Sequence, residues 1–307
     1  MMRTLGAVLV LFAAMLVGPA TAQQLTDVRL VIGVSDTSRD GYFAYESGIF
    51  KRNGLNVTMT QARGGAAEAA ALAGGAADIG DGNLISYATA ISKGLPFVAI
   101  APGVIYDSRD PYAVIAVAIN SPYKTAKDLE GKIIGEPSLG GMGEAAIAAW
   151  ADTQGANYKS FKYVEIPTTE SVAALNQGTI AATVMQDPQF LMDGDKIRVL
   201  ARNYDVIAPR FLTTAWYTTH GYAEKNPDVI RRFQLSIRQA YAWSEQNPQL
   251  AKAALEKWLK IKDIKFRKGH IDTLDPAMVQ PMLDFAAKYN FLPRKMSASE
   301  MIYTAPK

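Results

Sequence analysis

The chain has 307 residues, of which 49% are hydrophobic, and it carries a formal net charge of +3 at pH 7. This length exceeds what one compact domain usually holds, so we expect two lobes. The small net charge, without any block of lysine or arginine, argues against nucleic-acid binding, and the absence of cysteine excludes thiolate metal sites, thiol nucleophiles, disulfides and a lipid-anchoring cysteine.

The N-terminus has the pattern of a cleaved export signal. Arg3 precedes an apolar run at residues 5–17, and Ala20-Thr21-Ala22 is a small-x-small cleavage site. The apolar run is short for a transmembrane helix. We therefore expect residues 1–22 to be a signal peptide and the mature protein to be a periplasmic monomer that starts near Gln23.

Strands and helices then alternate. Residues 28–34 form a β-branched apolar run that is typical of a buried strand, and apolar positions at helical spacing follow from Tyr42 to Phe50. We expect that helix to stop at Gly54 and a strand to start at Leu55, where apolar and polar residues alternate.

Two glycine pairs bracket an alanine-rich run in "RGGAAEAAALAGGAADIGDGN", residues 63–83. Their spacing matches neither GxGxxG nor GxxxxGK[ST], so a nucleotide-binding loop is not indicated. Strong helix formers at residues 66–73 predict a short helix that Gly74 ends in the left-handed conformation. A strand at residues 77–80, a helix at residues 83–94 and a strand at residues 97–100 follow.

A second unit of the same kind begins after Ser121-Pro122. A helix follows "SLGGMGE" at residues 138–144, with strands at residues 163–166, 182–185 and 197–201 and a helix at residues 171–176. Two β-prone segments, residues 112–120 and 212–219, flank this unit. We interpret them as paired connections between two α/β lobes with mainly parallel sheets: lobe 1 at residues 23–119 and 214–307, and lobe 2 at residues 120–213.

The C-terminal part is predicted to be helical. Asn226-Pro227, Asn247-Pro248 and Asp275-Pro276 each place an N-cap side chain before a proline at the first helical position. Ser297 and Glu300 have the spacing of a capping box, which predicts a last short helix.

Five segments in order resemble a known family. They are "GYFAYESGIFKRNGLNV", "ALAGGAADIGDGN", "SPYKTAKDLEGKIIGEPSLGGMG", "LNQGTIAATVMQDPQF" and "NPDVIRRFQLSIRQAYAWSEQNP". Together they resemble the periplasmic solute-binding proteins of ABC importers, in the branch that binds nitrate, sulfonates, taurine and thiamine-pyrimidine precursors. The resemblance implies the two-lobed type II periplasmic binding protein fold, a two-segment hinge near Asn120 and Thr214, a ligand in the cleft, and an ABC permease and ATPase as partners.

Candidate ligand-binding residues follow the predicted strands or lie on the returning connection, because open parallel sheets bind ligands beyond the carboxyl ends of their strands. They are Asp36, Tyr42, Arg63, Gly64, Gly65, Asp81, Asn83, Ser138, Gly141, Met142, Asp187 and Trp216.

Several of these residues have a structural alternative. Tyr42 either stacks on a ligand or packs in the core, and Trp216 either forms an aromatic wall of the cleft or lies in the hinge core. Asp81 and Asn83 either contact ligand or cap the next helix. Asp187 either contacts ligand or belongs to a loop turn, and Arg39 is expected to be solvated.

The expected ligand is a small organic anion, such as a sulfonate or an aromatic carboxylate. Arg63 and the helix start after Ser138 offer a guanidinium and free backbone N–H groups to an anion. The carboxylates of Asp36, Asp81 and Asp187 favour instead an amino or ring-nitrogen group. A zwitterion or an amino-pyrimidine therefore remains the alternative.

Other classes are less well supported by the residues. Pyrimidine synthases share the implied fold, but the sequence has no GxSxG motif and no activated nucleophile, so we expect no enzymatic activity and no cofactor. His220 and His270 have no metal-ligand spacing, so we expect no metal. A sensor domain and a receptor of a TRAP-type transporter are the remaining alternatives.

Overall fold

The computed structural model describes residues 25–304 except residues 63, 138, 267, 268 and 270. The predicted signal peptide at residues 1–22 therefore lies outside the described residues. So do two predicted ligand-binding residues, Arg63 and Ser138, and one of the two histidines, His270.

The described strands, in chain order, are β1 Thr26–Gly33, β2 Leu55–Ala62, β3 Ile79–Asn83, β4 Phe97–Pro102, β5 Ile105–Asp107, β6 Ala113–Ala118, β7 Ile133–Glu136, β8 Lys162–Glu165, β9 Ala182–Gln186, β10 Ile197–Ala201, β11 Arg210–Leu212 and β12 Thr214–Thr219. The described α-helices are α1 Arg39–Glu46, α2 Ile49–Arg52, α3 Gly65–Ala73, α4 Leu84–Ser92, α5 Met142–Thr153, α6 Ser171–Asn176, α7 Gln189–Asp193, α8 His220–Lys225, α9 Pro227–Gln246, α10 Pro248–Leu259 and α11 Pro276–Lys288.

Two five-stranded sheets define two lobes. The first lobe has the strand order β2-β1-β3-β12-β4, with β1 parallel to β2 and β3, and with β12 antiparallel to both β3 and β4. The second lobe has the order β10-β6-β9-β7-β8, with β7 parallel to β8 and β9, and with β6 antiparallel to both β9 and β10. Each sheet is therefore mainly parallel with one reversed strand.

The chain crosses between the lobes twice, and the two crossings pair with each other. β5 lies on the first crossing and β11 on the second, and they form a separate antiparallel ribbon. Tyr106 on β5 and Phe211 on β11 are fully buried with their ring centroids 5.4 Å apart. The Tyr106 hydroxyl also donates a hydrogen bond of 2.5 Å to Asp205, so the crossings are joined by backbone and side chains alike.

Both sheets are covered on their two faces, as the near-continuous apolar strands predict. In β1, Leu30 and Ile32 join the core under α1, α9 and α10, whereas Val31 joins the core on the opposite face. In β6, Ile115 and Val117 face α5, and Val114 faces α6. This alternation follows from the two-residue period of a strand.

The structure corrects the predicted organisation in three places. The helix predicted from Tyr42 to Phe50 is divided into α1 and α2, because Gly48 adopts a left-handed φ of 73° between them. Gly75, with φ 69°, and not Gly74 takes the left-handed position after α3. Residues 113–118, assigned to lobe 1 from the sequence, form β6 in the sheet of the second lobe, so the paired crossing precedes Asn120.

The helix starts follow the predicted prolines, but only one of the three predicted side-chain caps forms. Asp275 accepts a hydrogen bond of 2.9 Å from the Ala277 N–H. Asn226 and Asn247 instead donate to carbonyls one turn earlier along the chain. The capping box of Ser297 and Glu300 is confirmed. Within the described range, no helix is both long and apolar enough to cross a membrane.

Candidate functional site

A cavity of about 540 Å³ is lined by residues of both lobes and of the crossings. Asp36, Thr37 and Arg39 line it from the first lobe, directly after β1, and Asp187 lines it from the second lobe, directly after β9. Both walls thus lie at carboxyl ends of strands, where α/β sheets bind their ligands. The volume suits a small organic molecule.

Arg39 is buried in the wall of the first lobe, and the prediction that it is solvated is wrong. Only 6% of it is exposed. Its Nη1 lies 3.6 Å from Asp36 Oδ2, and its Nη2 donates a hydrogen bond of 3.2 Å to the Gly269 carbonyl. A buried guanidinium requires such partners, and the carboxylate one turn earlier in the chain supplies the charge.

Tyr112 lies between the two walls. The Asp187 N–H donates a hydrogen bond of 3.0 Å to the Tyr112 carbonyl. Burial raises the pKa of the Tyr112 phenol, a hydrogen bond with Thr213 opposes this rise, and the charges of Asp36 and Asp187 add to it. The phenol is therefore close to carboxylates from both lobes, on a residue that the sequence analysis did not include.

Charged side chains of the two crossings also line the cavity, and they form ion pairs with one another. Arg109 Nη2 lies 2.5 Å from Asp107 Oδ2, and Arg210 Nε lies 3.7 Å from the same oxygen. The hydrogen bonds from Arg109 lower the pKa of Asp107 well below its usual range. Both arginines are exposed and Asp107 is partly buried, so each pair contributes little to stability.

Tyr42 and Trp216 are placed in the core of the first lobe and not on the cavity wall. Neither is more than 1% exposed. The Tyr42 hydroxyl donates a hydrogen bond of 2.6 Å to the Gly33 carbonyl, and its ring stacks on Trp258 at 5.5 Å. The Trp216 indole packs edge-on against Phe233 at 5.3 Å. Trp258 belongs to α10 and Phe233 to α9, so helices cover both rings and the structure supports the alternative of core packing for both residues.

Asp81 and Asn83 lie at the end of β3, behind the cavity. The Asn83 side chain accepts a hydrogen bond of 2.9 Å from the Ser86 N–H, so the predicted cap of the next helix is confirmed. Asp81 is 4% exposed and accepts hydrogen bonds from Gly33 and Ser38. Its partners are thus protein groups within the first lobe.

The predicted glycine positions lie at helix starts. Gly64 is the N-cap of α3 and Gly65 its first residue, while Gly141 is the N-cap of α5 and Met142 its first residue. None of these four residues lines the described cavity. Of the predicted ligand-binding residues that the structure describes, it brings together Asp36 and Asp187.

Three charged residues of the cavity, Arg39, Asp107 and Arg210, have sequence contexts that could have indicated their position. Arg39 follows Asp36 at the i+3 spacing of a helical ion pair, just after a buried strand. Asp107 and Arg210 are charged residues beside apolar segments that were already interpreted as crossings. In the part of the chain that the structure describes, no group of histidine and acidic side chains could hold a metal ion.

Two lobes with mainly parallel sheets, two paired crossings and a cavity between the lobes are the periplasmic binding protein fold. The chain matches the family described as NMT1/THI5 like over residues 40–251, and it belongs to this family. No sequence match was found among curated proteins.

Solved structures support the fold. The periplasmic aliphatic sulphonate-binding protein SsuA from Escherichia coli is similar with a TM-score of 0.71 and 19% identity, over 92% of this chain and 93% of that chain. The alkanesulfonate-binding protein SsuA from Xanthomonas axonopodis pv. citri bound to MOPS gives a TM-score of 0.71 at 15% identity, over 91% and 98% of the two chains. The nitrate-binding protein NrtA from Synechocystis PCC 6803 gives 0.70 at 15% identity, over 88% and 83%. At this identity the similarity establishes the fold and leaves the ligand open.

Proposed function

We propose that this chain is an exported solute-binding protein that captures a small organic molecule between its lobes and delivers it to an ABC permease with its ATPase. The observation that carries the proposal is the cavity of about 540 Å³, whose walls follow β1 in the first lobe and β9 in the second. A molecule held there contacts both lobes at once, which is the requirement for coupling its capture to their relative position.

The paired crossings support hinge closure over the solute. β5 and β11 are three-residue strands, and the chain passes between the lobes on both of them. Short crossing segments of this kind can absorb the change in backbone angles when two lobes close. Small-angle scattering should show a smaller radius of gyration with bound solute, and an unchanged radius at saturation would argue against closure.

The described walls favour a solute that carries groups of both signs. Asp36 and Asp187 suit an ammonium or a ring N–H, and Arg39 suits an acidic group. The anion clamp expected from the sequence depends on Arg63 and Ser138, which lie outside the described residues. A sulfonate without a donor group would have to lie beside the two carboxylates, so we rank it below a zwitterion or an amino-substituted ring.

Matched pairs of probes separate these ligand classes. Calorimetric titration should compare ethanesulfonate with 2-aminoethanesulfonate, and benzoate with 4-aminobenzoate. The proposal predicts that the amino compound of each pair binds at least about tenfold more tightly than the compound without the amino group. This factor corresponds to one additional hydrogen bond to a charged group. Tighter binding of the plain anions would restore the sequence-based expectation.

Mass spectrometry of protein purified from its own cells without denaturant tests the function itself. We expect one small organic molecule per chain, chemically unchanged after prolonged incubation, and an intact mass that lacks residues 1–22. A chemically altered molecule would favour an enzyme. Loss of uptake of that molecule after deletion of the gene, or of an adjacent permease gene, would support delivery to an ABC importer.

A further inference from the structure

Asp81 holds both ends of the segment that forms the first wall of the cavity. Its Oδ1 accepts a hydrogen bond of 2.8 Å from the Gly33 N–H, at the last residue of β1. Its Oδ2 accepts a hydrogen bond from the Ser38 hydroxyl, at the last residue of the short 3-10 turn Asp36–Ser38. The residues between these two anchors include Asp36 and Thr37, which line the cavity.

The two anchors of this segment are buried and packed tightly against each other. Ser38 is 1% exposed and Asp81 is 4% exposed. A Cβ atom on Gly33 would lie 2.9 Å from Ser38 Oγ and 3.0 Å from Glu68 Oε1, so the first anchor is packed tightly against the second. A change at the Asp81 carboxylate therefore acts on both anchors of the segment at once.

Resting on the proposed solute-binding function, we propose that Asp81 is a positioning residue for that function: its carboxylate fixes residues 33–38 and thereby sets Asp36 and Thr37 against the solute. Asp81 does not itself line the cavity. It acts through the segment it holds, and the ionised form does this best, because a carboxylate accepts both hydrogen bonds as charge-assisted ones.

Four titratable groups face Asp81 from the elements packed around it: Tyr42 on α1, Glu68 on α3, Tyr87 on α4 and Tyr217 on β12. Burial raises the pKa of Asp81, and the hydrogen bonds from Ser38 and Gly33 oppose the rise. Protonation of Asp81 at mildly acidic pH would replace charge-assisted hydrogen bonds with weaker ones. Solute affinity should then fall as the pH decreases.

Asp81→Asn tests the proposal, with Asp78→Asn as its matched control. Asp78 lies three positions earlier, directly before β3, where its carboxylate pairs with Arg29 at 2.5 Å. Hydrogen exchange should show protection of residues 33–38 reduced at least about tenfold in Asp81→Asn and unchanged in Asp78→Asn. Residues of β7 in the second lobe should keep their protection in both variants.

Calorimetry with 2-aminoethanesulfonate and 4-aminobenzoate provides the functional readout. Asp81→Asn should bind at least about tenfold more weakly than wild type near pH 7.5, and the ratio should approach one near pH 5, where wild type is protonated as well. If Asp81 had a purely structural role, Asp81→Asn would lower the free energy of unfolding, but the ratio of the wild-type and variant affinities would not depend on pH. Ser38→Ala, which removes one of the two hydrogen bonds, should lose at least about threefold in protection and is used if Asp81→Asn does not fold.

The two proposals fail in different ways. If wild type binds neither probe and no solute is released from the native protein, the solute-binding proposal fails, and the exchange measurement still decides whether Asp81 holds residues 33–38. Equal protection of those residues in wild type and Asp81→Asn would overturn the positioning role. So would an affinity ratio that stays constant between these two pH values.

Discussion

The space beside Gly41 in α1 is filled by the side chain of Trp216, and this predicts the effect of one added methyl group. A Cβ atom at Gly41 would lie 2.5 Å from Trp216 Cη2 and 2.7 Å from Ile32 Cδ1. Gly41 is buried, as are both of these side chains. The substitution Gly41→Ala therefore forces α1, the indole or the strand to shift.

Two effects of opposite sign decide the result. Alanine in place of glycine favours a helix by roughly 0.5–1 kcal/mol. Overpacking in a close-packed core costs about 1–3 kcal/mol. Because both contacts of the added Cβ fall below 3.0 Å, with one atom in an indole that is itself buried, overpacking outweighs helix propensity. We expect Gly41→Ala to lower the free energy of unfolding by about 1–2 kcal/mol.

Gly221 in α8 offers the matched control. No heavy atom lies within 4 Å of the Cβ that alanine would add there. Gly221→Ala should therefore keep or raise the free energy of unfolding, by up to about 0.5–1 kcal/mol. Urea denaturation followed by far-UV circular dichroism measures both changes, and near-UV dichroism should differ from wild type only in Gly41→Ala, where the indole is displaced.

The reasoning would be refuted if Gly41→Ala were as stable as Gly221→Ala. That result would mean that the core of the first lobe can accommodate the methyl group, and that Trp216 does not fill the space over α1. The close packing of Trp216 against α1 would then be contradicted.

Two further predictions concern stability. Burial, together with the charge of Asp81, raises the pKa of Glu68 from 4.5 to about 9. The folded state therefore keeps a proton that the unfolded chain releases, and this contribution to stability is lost progressively as the pH rises from about 4.5 through about 9. The free energy of unfolding of Glu68→Gln, relative to that of wild type, should thus be at least about 1 kcal/mol higher at neutral pH than at acidic pH, as measured by urea denaturation. The exposed control Glu165→Gln should show no such dependence on pH. A difference between Glu68→Gln and wild type that does not change with pH would contradict the raised pKa of Glu68. Asp275→Ala removes the hydrogen bond to Ala277 N and should cost about 1 kcal/mol of unfolding free energy, so an unchanged urea midpoint would contradict the cap.

Local sequence patterns predicted the bounds of some helices and strands. The predicted helix at residues 171–176 and the predicted strand at residues 197–201 have these bounds in the structure. Local patterns did not predict to which of the two sheets β6 belongs. Residues 113–118 are apolar, and an apolar strand is compatible with either sheet. Only pairing with β9 and β10, far along the chain, decides the sheet.

The sequence predicted site residues that follow the ends of strands, but it did not predict whether a given side chain points into the core or into the cavity. Asp36 and Asp187 follow buried strands, and both line the cavity. Tyr42 lies on α1 and Trp216 within β12, where an aromatic side chain can point into the core or towards the cavity. Packing against Trp258 of α10 and Phe233 of α9, both distant in sequence, decides that both rings are in the core. The burial of Arg39 depends on the carbonyl of Gly269, a contact that no local pattern contains.

Calorimetric titration of a cavity-filling variant tests most directly whether the solute binds between the lobes. Thr37 lines the cavity and is partly exposed, and its hydroxyl shares a hydrogen bond of 2.6 Å with the Ser35 hydroxyl. Thr37→Trp would therefore add a large ring at the cavity and lose that one hydrogen bond. With the molecule that native protein releases, wild type should bind one equivalent per chain, and Thr37→Trp should bind at least about tenfold more weakly while its free energy of unfolding falls by no more than about 1 kcal/mol, the cost of one hydrogen bond. Binding of the same affinity in the variant would contradict the assignment of this cavity as the solute site.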